Sequence, residues 1–347
     1  MLDEPSSEGS FNKNSSDLIN NELINLKNDE ITFPDVIKRE FVQNYVDNAK
    51  FINEDGICNL PPNVKTIDDN AFVRVSNINQ LIADNIDIIG KNSFEESSII
   101  TAKVSNASII SKYAFLNCKR LTAISCEKAK KIRSSAFEEC TSLSAVECEK
   151  VEKISKNAFK NCYLLEKIKC NNAKLINRFA FWNCKSLKNI ECENAKFIGN
   201  NAFMSCNSLE EFICKNADFI GDEAFMLCHG LKKVEIDNVN SIGNKAFWEC
   251  NSLENIICDN VTSIGKSAFV NCNKLEYIKC KNINEIGSRA FDGCSSLKAI
   301  YTGSAMQCLN IYNSLTESQK SNCNINFYIG DDESNPWIFS KNKNKSN

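Results

Sequence analysis

The dipeptide Ala-Phe, once Ser-Phe, returns with its aromatic residue at Phe72, Phe94, Phe115, Phe137, Phe159, Phe181, Phe203, Phe225, Phe247, Phe269 and Phe291, every step being 22 residues except one of 21. A fixed period of this length marks a stack of small units, because one unit cannot bury its apolar face alone and must lay it against the next. The flanking positions repeat as well. Ile132, Ala136, Phe137, Cys140, Leu143, Val146, Cys148 and Val151 show the full pattern, in which about eight of 22 positions are apolar and face a common core.

Each unit divides into two parts. Leu121, Ile124 and Cys126 end with apolar residues two apart, the strand period that sends both side chains to one face, and this predicts one short strand per coil. The other half, Ile-Gly-x-x-Ala-Phe-x-x-Cys, has a spacing that fits one helical or 3₁₀ turn. The 21-residue step falls between Phe94 and Ile99, and Ala102, Val104, Ala107 and Ile110 resume the register, so a one-residue loop deletion accounts for it.

The unit at residues 241–256, Ser-Ile-Gly-Asn-Lys-Ala-Phe-Trp-Glu-Cys-Asn-Ser-Leu-Glu-Asn-Ile, resembles the BspA-like leucine-rich repeat, and the resemblance covers roughly residues 58–303. It implies an α/β solenoid: a right-handed leucine-rich-repeat array of about eleven 22-residue coils with one short parallel strand per coil. It departs from the family where Ile-Pro commonly follows the strand's first Ile. Here Cys-Glu, Cys-Lys or Cys-Asn stands there, and only Leu60-Pro61 comes near the familiar form. The resemblance also implies a surface antigen or adhesin, although a fold does not by itself determine a function.

The flanks read as caps. Residues 1–16, rich in Ser, Asn and acidic side chains, are expected to form a disordered tail. Residues 17–57 are expected to form a helical N-terminal cap, with helices over 17–29 and 34–49: Pro34 suits a first helical position, and Ile37, Phe41 and Tyr45 lie four apart on one face. Residues 304–339 are expected to form an irregular C-terminal cap in which Leu309, Ile311, Leu315, Phe327 and Ile329 cover the last coil, before a tail over 340–347.

Chemistry is sparse. Forty-one basic and 44 acidic residues, closely interspersed, give no broad basic field for nucleic acid. No apolar run is long enough for a membrane-spanning helix, and the N-terminus does not read as a signal peptide, which points to a cytoplasmic location. Sixteen of the nineteen cysteines fall in two columns. One is Cys118, Cys140, Cys162, Cys184, Cys206, Cys228, Cys250, Cys272 and Cys294, and the other is Cys126, Cys148, Cys170, Cys192, Cys214, Cys258 and Cys280. Val104 and Ile236 replace Cys in the second column, so buried reduced thiols used as small hydrophobes are the expectation, with metal binding and inter-coil disulfides as alternatives. The single histidine, His229, follows Cys228 on a loop, where a surface position is expected rather than a catalytic pair. Phosphate-loop, dinucleotide, zinc-protease and hydrolase motifs are missing, no cofactor is indicated, and no catalytic residue is assigned.

Function is therefore sought on the surface. Outward strand residues are expected to line a concave face, with charge alternating by coil: Ala145, Glu147 and Glu149, then Lys167, Lys169 and Asn171, then Asn189, Glu191 and Glu193. Towards the C-terminus the same face gathers Ile257, Tyr277, Lys279, Lys281 and Tyr301, aromatic anchors with a basic rim, as the candidate site for a protein partner. An alternative convex stripe is formed by Trp182, Met204, Met226, Trp248 and Val270, each directly after the repeat Phe. The leading expectation is a non-enzymatic protein-binding scaffold; a surface antigen or adhesin, and a cysteine-rich redox or metal-buffering protein, are the alternatives.

Overall fold

The structure, a computed structural model, describes residues 33–46, 51–317 and 325–331. It is a parallel β-solenoid in which every coil contributes to two sheets. The short strand expected from the sequence recurs, three residues long, from Ile57–Asn59 to Tyr277–Lys279 and four residues long at Ala299–Thr302, and these strands stack in chain order into a 13-stranded sheet that ends with Asn326–Ile329. A second strand of two residues, not anticipated, follows in each coil. It recurs from Thr66–Ile67 to Glu285–Ile286 and joins Val36–Ile37 in a 12-stranded sheet. Register holds from coil to coil, as where Ala145, Val146 and Glu147 face Lys167, Ile168 and Lys169, so like positions form continuous columns.

The Ala-Phe half of the coil is not a helical turn. It is a corner, with left-handed backbone two residues before and two residues after the Phe, as at Asn157 and Asn161 around Phe159 or Glu223 and Leu227 around Phe225. Alternating N–H groups of this corner reach the next coil, so it forms a hydrogen-bonded ladder of its own: Tyr113 N–H to Ser134 C=O at 3.1 Å, Phe115 to Ala136 at 2.8 Å, Asn117 to Glu138 at 2.8 Å. The left-handed residues, like the Phe between them, turn their N–H groups along the solenoid axis, which is the return for their backbone strain. Between the corner and the two-residue strand the coils approach closely. A Cβ on Gly287 would lie 2.3 Å from the Lys266 nitrogen.

The core is a set of stacked columns. Eleven Phe rings from Phe72 to Phe291 are buried and lie almost parallel, centroids 4.7–5.7 Å apart and planes within 2–11°. This spacing follows the separation of neighbouring strands, about 4.8 Å. The first cysteine column lies beside it. Each of its nine thiols donates to the carbonyl of the Phe in the previous coil, from Cys118 to Phe94 at 2.8 Å through to Cys294 to Phe269 at 3.0 Å. The same carbonyl also accepts a backbone N–H; Phe115 receives Cys118 N–H at 3.2 Å and Cys140 Sγ at 3.0 Å. Cysteine thus supplies the second donor for a buried carbonyl with two lone pairs, more than a small hydrophobe does. In the short coil Ser97 stands in this column, 3.6 Å from Cys118 Sγ.

Both ends of the stack are covered. Helix Arg39–Val46 packs Phe41 and Val42 onto the first coil, while Pro34 precedes a strand rather than opening a helix, and Ile37 is buried from that strand. The helix expected over 17–29, the two tails, and the final part of the C-terminal cap lie outside the described residues. The rest of that cap is more regular than expected, with helix Ala305–Ser314 and the added strand Asn326–Ile329. It buries Ile311, Leu315 and Phe327 but leaves Leu309 and Ile329 exposed.

Candidate functional site

The outer face of the 13-stranded sheet presents two side chains per coil. In its middle it is a shallow trough, with one depression of about 390 Å³ between Glu127, Ala145, Glu147, Glu149, Lys167 and Lys169 and another of about 350 Å³ reaching to Glu211 and Ile213. Several charges here are paired: Lys169 with Glu191 on the neighbouring strand at 3.8 Å, Lys233 with Glu235 on its own strand at 2.5 Å, and Lys103 with Asp84 at 2.7 Å.

At the C-terminal end the structure brings Ile257, Tyr277, Lys279 and Tyr301 together on successive strands, with Lys281 just beyond. Two features of the expected patch do not hold. Tyr301 is only 5% exposed, because the added strand lays Tyr328 against it at 5.0 Å and Tyr277 meets it edge-on at 6.1 Å. The basic rim is already neutralised. Lys279 lies over the Tyr301 ring at 4.8 Å and reaches Asp331 at 3.4 Å, and Lys281 is held between Asp331 at 3.0 Å and Asp259 at 3.3 Å. Hydrogen bonding to Lys281 and then Lys279 holds the Asp331 carboxyl below the usual carboxylate range. What remains open is Ile257, 42% exposed, beside a partly exposed Tyr277.

The alternative stripe is not a free apolar surface. Val270 is buried, and Trp182, Met204, Met226 and Trp248 are half-buried. Lys160 lies over Trp182 at 4.9 Å, Lys245 over Trp248 at 5.2 Å, and Trp248 Nε1 donates to Glu249 at 3.0 Å.

A third surface was missed because no second strand was expected. The outward residue of the two-residue strand is apolar on three successive coils, Leu175, Phe197 and Phe219. Phe197 is 38% exposed and stacks on Phe219 at 5.6 Å. The signal in the sequence was an aromatic residue directly before the repeat Ile on two successive coils, at a position that elsewhere holds Thr, Ile, Lys, Leu, Ser or Glu.

No catalytic pair forms at the histidine. Cys228 Sγ donates inward to Phe203 C=O at 3.1 Å and burial pushes this thiol up to about 12, while His229 Nδ1 is 3.0 Å from Glu249 C=O. Burial likewise lifts Cys118 to about 12 and Cys140, Cys162, Cys206 and Cys250 well above the ordinary thiol range. All eighteen cysteines in the described residues are buried and unbridged, so the redox and metal-buffering alternative, which needs accessible thiolates, loses its support. Among the described residues no three His, Cys, Asp or Glu side chains converge as a metal site, and no helix is long and apolar enough to cross a membrane.

Two stacked parallel sheets with a leucine, a phenylalanine and a cysteine column at a 22-residue period define a leucine-rich-repeat solenoid. The chain belongs to the family described as BspA type leucine rich repeat region (6 copies), whose model matches residues 51–165, 108–232 and 196–326. Among solved structures it is similar to a leucine-rich repeat protein from Bacteroides ovatus, at 22% identity over 78% of this chain and 91% of that one, with a TM-score of 0.33. It is also similar to a leucine rich cell surface protein from Faecalibacterium prausnitzii, at 19% identity over 74% and 90%, TM-score 0.30. A third is the pneumococcal vaccine antigen PcpA, at 15% identity over 79% of each chain, TM-score 0.38. No curated protein matches the chain.

Proposed function

We propose that the protein is a non-catalytic scaffold that holds a protein partner along the outer face of the 13-stranded sheet. The observation that carries this reading is the face itself: a rigid trough offering two side chains per coil in fixed register, with Ile213, Ile257 and Tyr277 as apolar points among paired charges. Such a surface binds through a few apolar anchors within a polar surround and asks little reorganisation of the scaffold. A reducing, cytoplasmic setting goes with it, since the Cys column donates its hydrogen bonds only as protonated thiols.

The test is an Ile257→Asp, Tyr277→Ala variant against a partner isolated on the wild-type chain and then purified. The variant is expected to melt as the parent does and to bind at least tenfold more weakly, about 1.4 kcal/mol. Undiminished affinity would remove the site from this face.

A further inference from the structure

The outer face of the two-residue-strand sheet has a charge distribution unlike the rest of the molecule. Around this strand, on the coils that span Lys130 to Phe179, stand Lys130, Lys131, Arg133, Lys153, Lys174 and Arg178, all exposed, with Glu152 the acidic residue among them. Lys112 and Lys196 extend the row by one coil on either side. On the other sheet Lys103, Lys169, Lys233 and Lys279 are ion-paired and Lys167 alone is not, but among the described residues no carboxylate lies within 4.0 Å of any of these six. Like charges on ladder positions about 4.8 Å apart repel, as Lys131 and Lys153 do on paired strands, and Glu152, between Lys130 and Lys174 in the neighbouring column, is the one acidic residue there to offset them. The row ends against Leu175, Phe197 and Phe219, so an unpaired cationic strip runs into an exposed apolar step.

We infer that this face is a docking site for an acidic polypeptide segment whose carboxylates lie along the cationic strip and whose apolar side chain packs on the edges of Phe197 and Phe219. Three coils of strip span about 10–15 Å, the reach of four or five extended residues. The carboxylates that this chain carries two coils further along the same face are engaged, and a second copy could offer them only by breaking these contacts: Asp218 with Lys196 at 3.9 Å, Glu223 with Lys245 at 3.6 Å and with Asn201 at 2.8 Å, and Asp222 with the Asn244 N–H at 2.7 Å. Single-stranded nucleic acid fits poorly, because it needs free ring faces for its bases. Phe197 and Phe219 each turn one face to the other, and the Arg178 guanidinium lies over Phe179 at 4.5 Å. The turn that leads into the strip from the three-residue strand is balanced, Glu127 beside Lys128 and Glu149 beside Lys150, so the cationic character belongs to this face and not to the whole flank.

The inference rests on the scaffold reading but puts an occupant on the other sheet, and the two can fail separately. The probe is a fluorescein-labelled peptide (Glu-Glu-Leu-Glu)₃, with its all-Gln counterpart, a twelve-residue oligothymidylate and phosphatidylserine vesicles in parallel, titrated by anisotropy or sedimentation at 50 and 300 mM salt. The acidic peptide is expected to bind best, to weaken at high salt, and to lose at least tenfold in Lys131→Glu, Lys153→Glu, Lys174→Glu and at least threefold in Phe197→Ser. The milder Lys→Gln triple serves if charge reversal perturbs the melting curve. Equal binding of the Gln peptide, tighter binding of oligonucleotide or vesicles, unchanged affinity in the triple variant, or no peptide binding would each overturn the inference. A wild-type dimer abolished by the triple variant would assign the face to self-association and overturn it as well. Loss of peptide binding in Ile257→Asp, Tyr277→Ala instead would move the peptide to the trough, overturning this site while leaving the scaffold reading intact.

Discussion

Raising the pH should unfold this protein through its cysteine columns, and the size of the effect can be worked out from two of them. Burial lifts the thiols of Cys228 and Cys258 from the ordinary value of 9.0 to about 12 in the folded chain. A folded pKa above the unfolded one means that the folded state holds its protons more tightly. The stabilisation is fully present below pH 9 and is lost as the pH climbs from 9 towards 12. At pH 10 each unfolded thiol has gained about 1.4 kcal/mol by ionising, so the pair costs the fold about 3 kcal/mol relative to pH 7.5. Lysines and tyrosines titrate nearby, so the measurement is a difference between the wild type and a Cys228→Val, Cys258→Val variant. At pH 7.5 the variant should be the weaker by about 1 kcal/mol, since Cys228 gives up its bond to the Phe203 carbonyl. The Cys258 site costs little, because Ile236 fills the same position one coil earlier. By pH 10 the order should reverse, with the variant ahead by about 2 kcal/mol in urea unfolding followed by circular dichroism under reductant. Parallel curves from pH 7.5 to 10 would show that the folded thiols ionise as readily as the unfolded ones, and the dry column described above would have to be abandoned.

Phe203→Ala should lower stability by about 3–5 kcal/mol, because the ring is fully buried between Phe181 and Phe225 and also touches Phe212; a thermal melt equal to the parent's would contradict the stacked column. Ser205→Gly should raise stability by about 0.5–1 kcal/mol, because Ser205 is held at φ 63° while its N–H bonds Met226 C=O, and a lower urea midpoint would place the strain elsewhere.

The columns were legible because periodicity needs no knowledge of local geometry: eleven Phe and nine Cys at one spacing leave little else that could be buried together. The second strand was not legible. Two residues such as Lys153-Ile154 are too few to show an alternation, and the outward member varies from Lys to Phe to Ser. The corner was read as a helical turn because Ala, Phe and Cys have that spacing, although Asn at positions such as Asn70, Asn92 and Asn161 was a clue to left-handed backbone. The residues of the candidate patch do lie on successive strands, yet Tyr301 was expected to be open. Its cover comes from Tyr328, beyond the last repeat, where no period links the two. The cationic strip was hidden by net charge, which averages over the molecule, whereas the strip exists only once the fold sorts residues by face.

The identity of successive coils makes the molecule a graduated rod. Cutting out one 22-residue unit between the cationic strip and Ile257 would join two equivalent corners, bring Phe rings and Cys thiols into the same partners one coil on, and shorten the separation of the two surfaces by one strand spacing, about 4.8 Å. Distance along this protein is therefore quantised, and insertion or loss of whole repeats could retune how far apart two bound partners stand without redesigning either place where they bind.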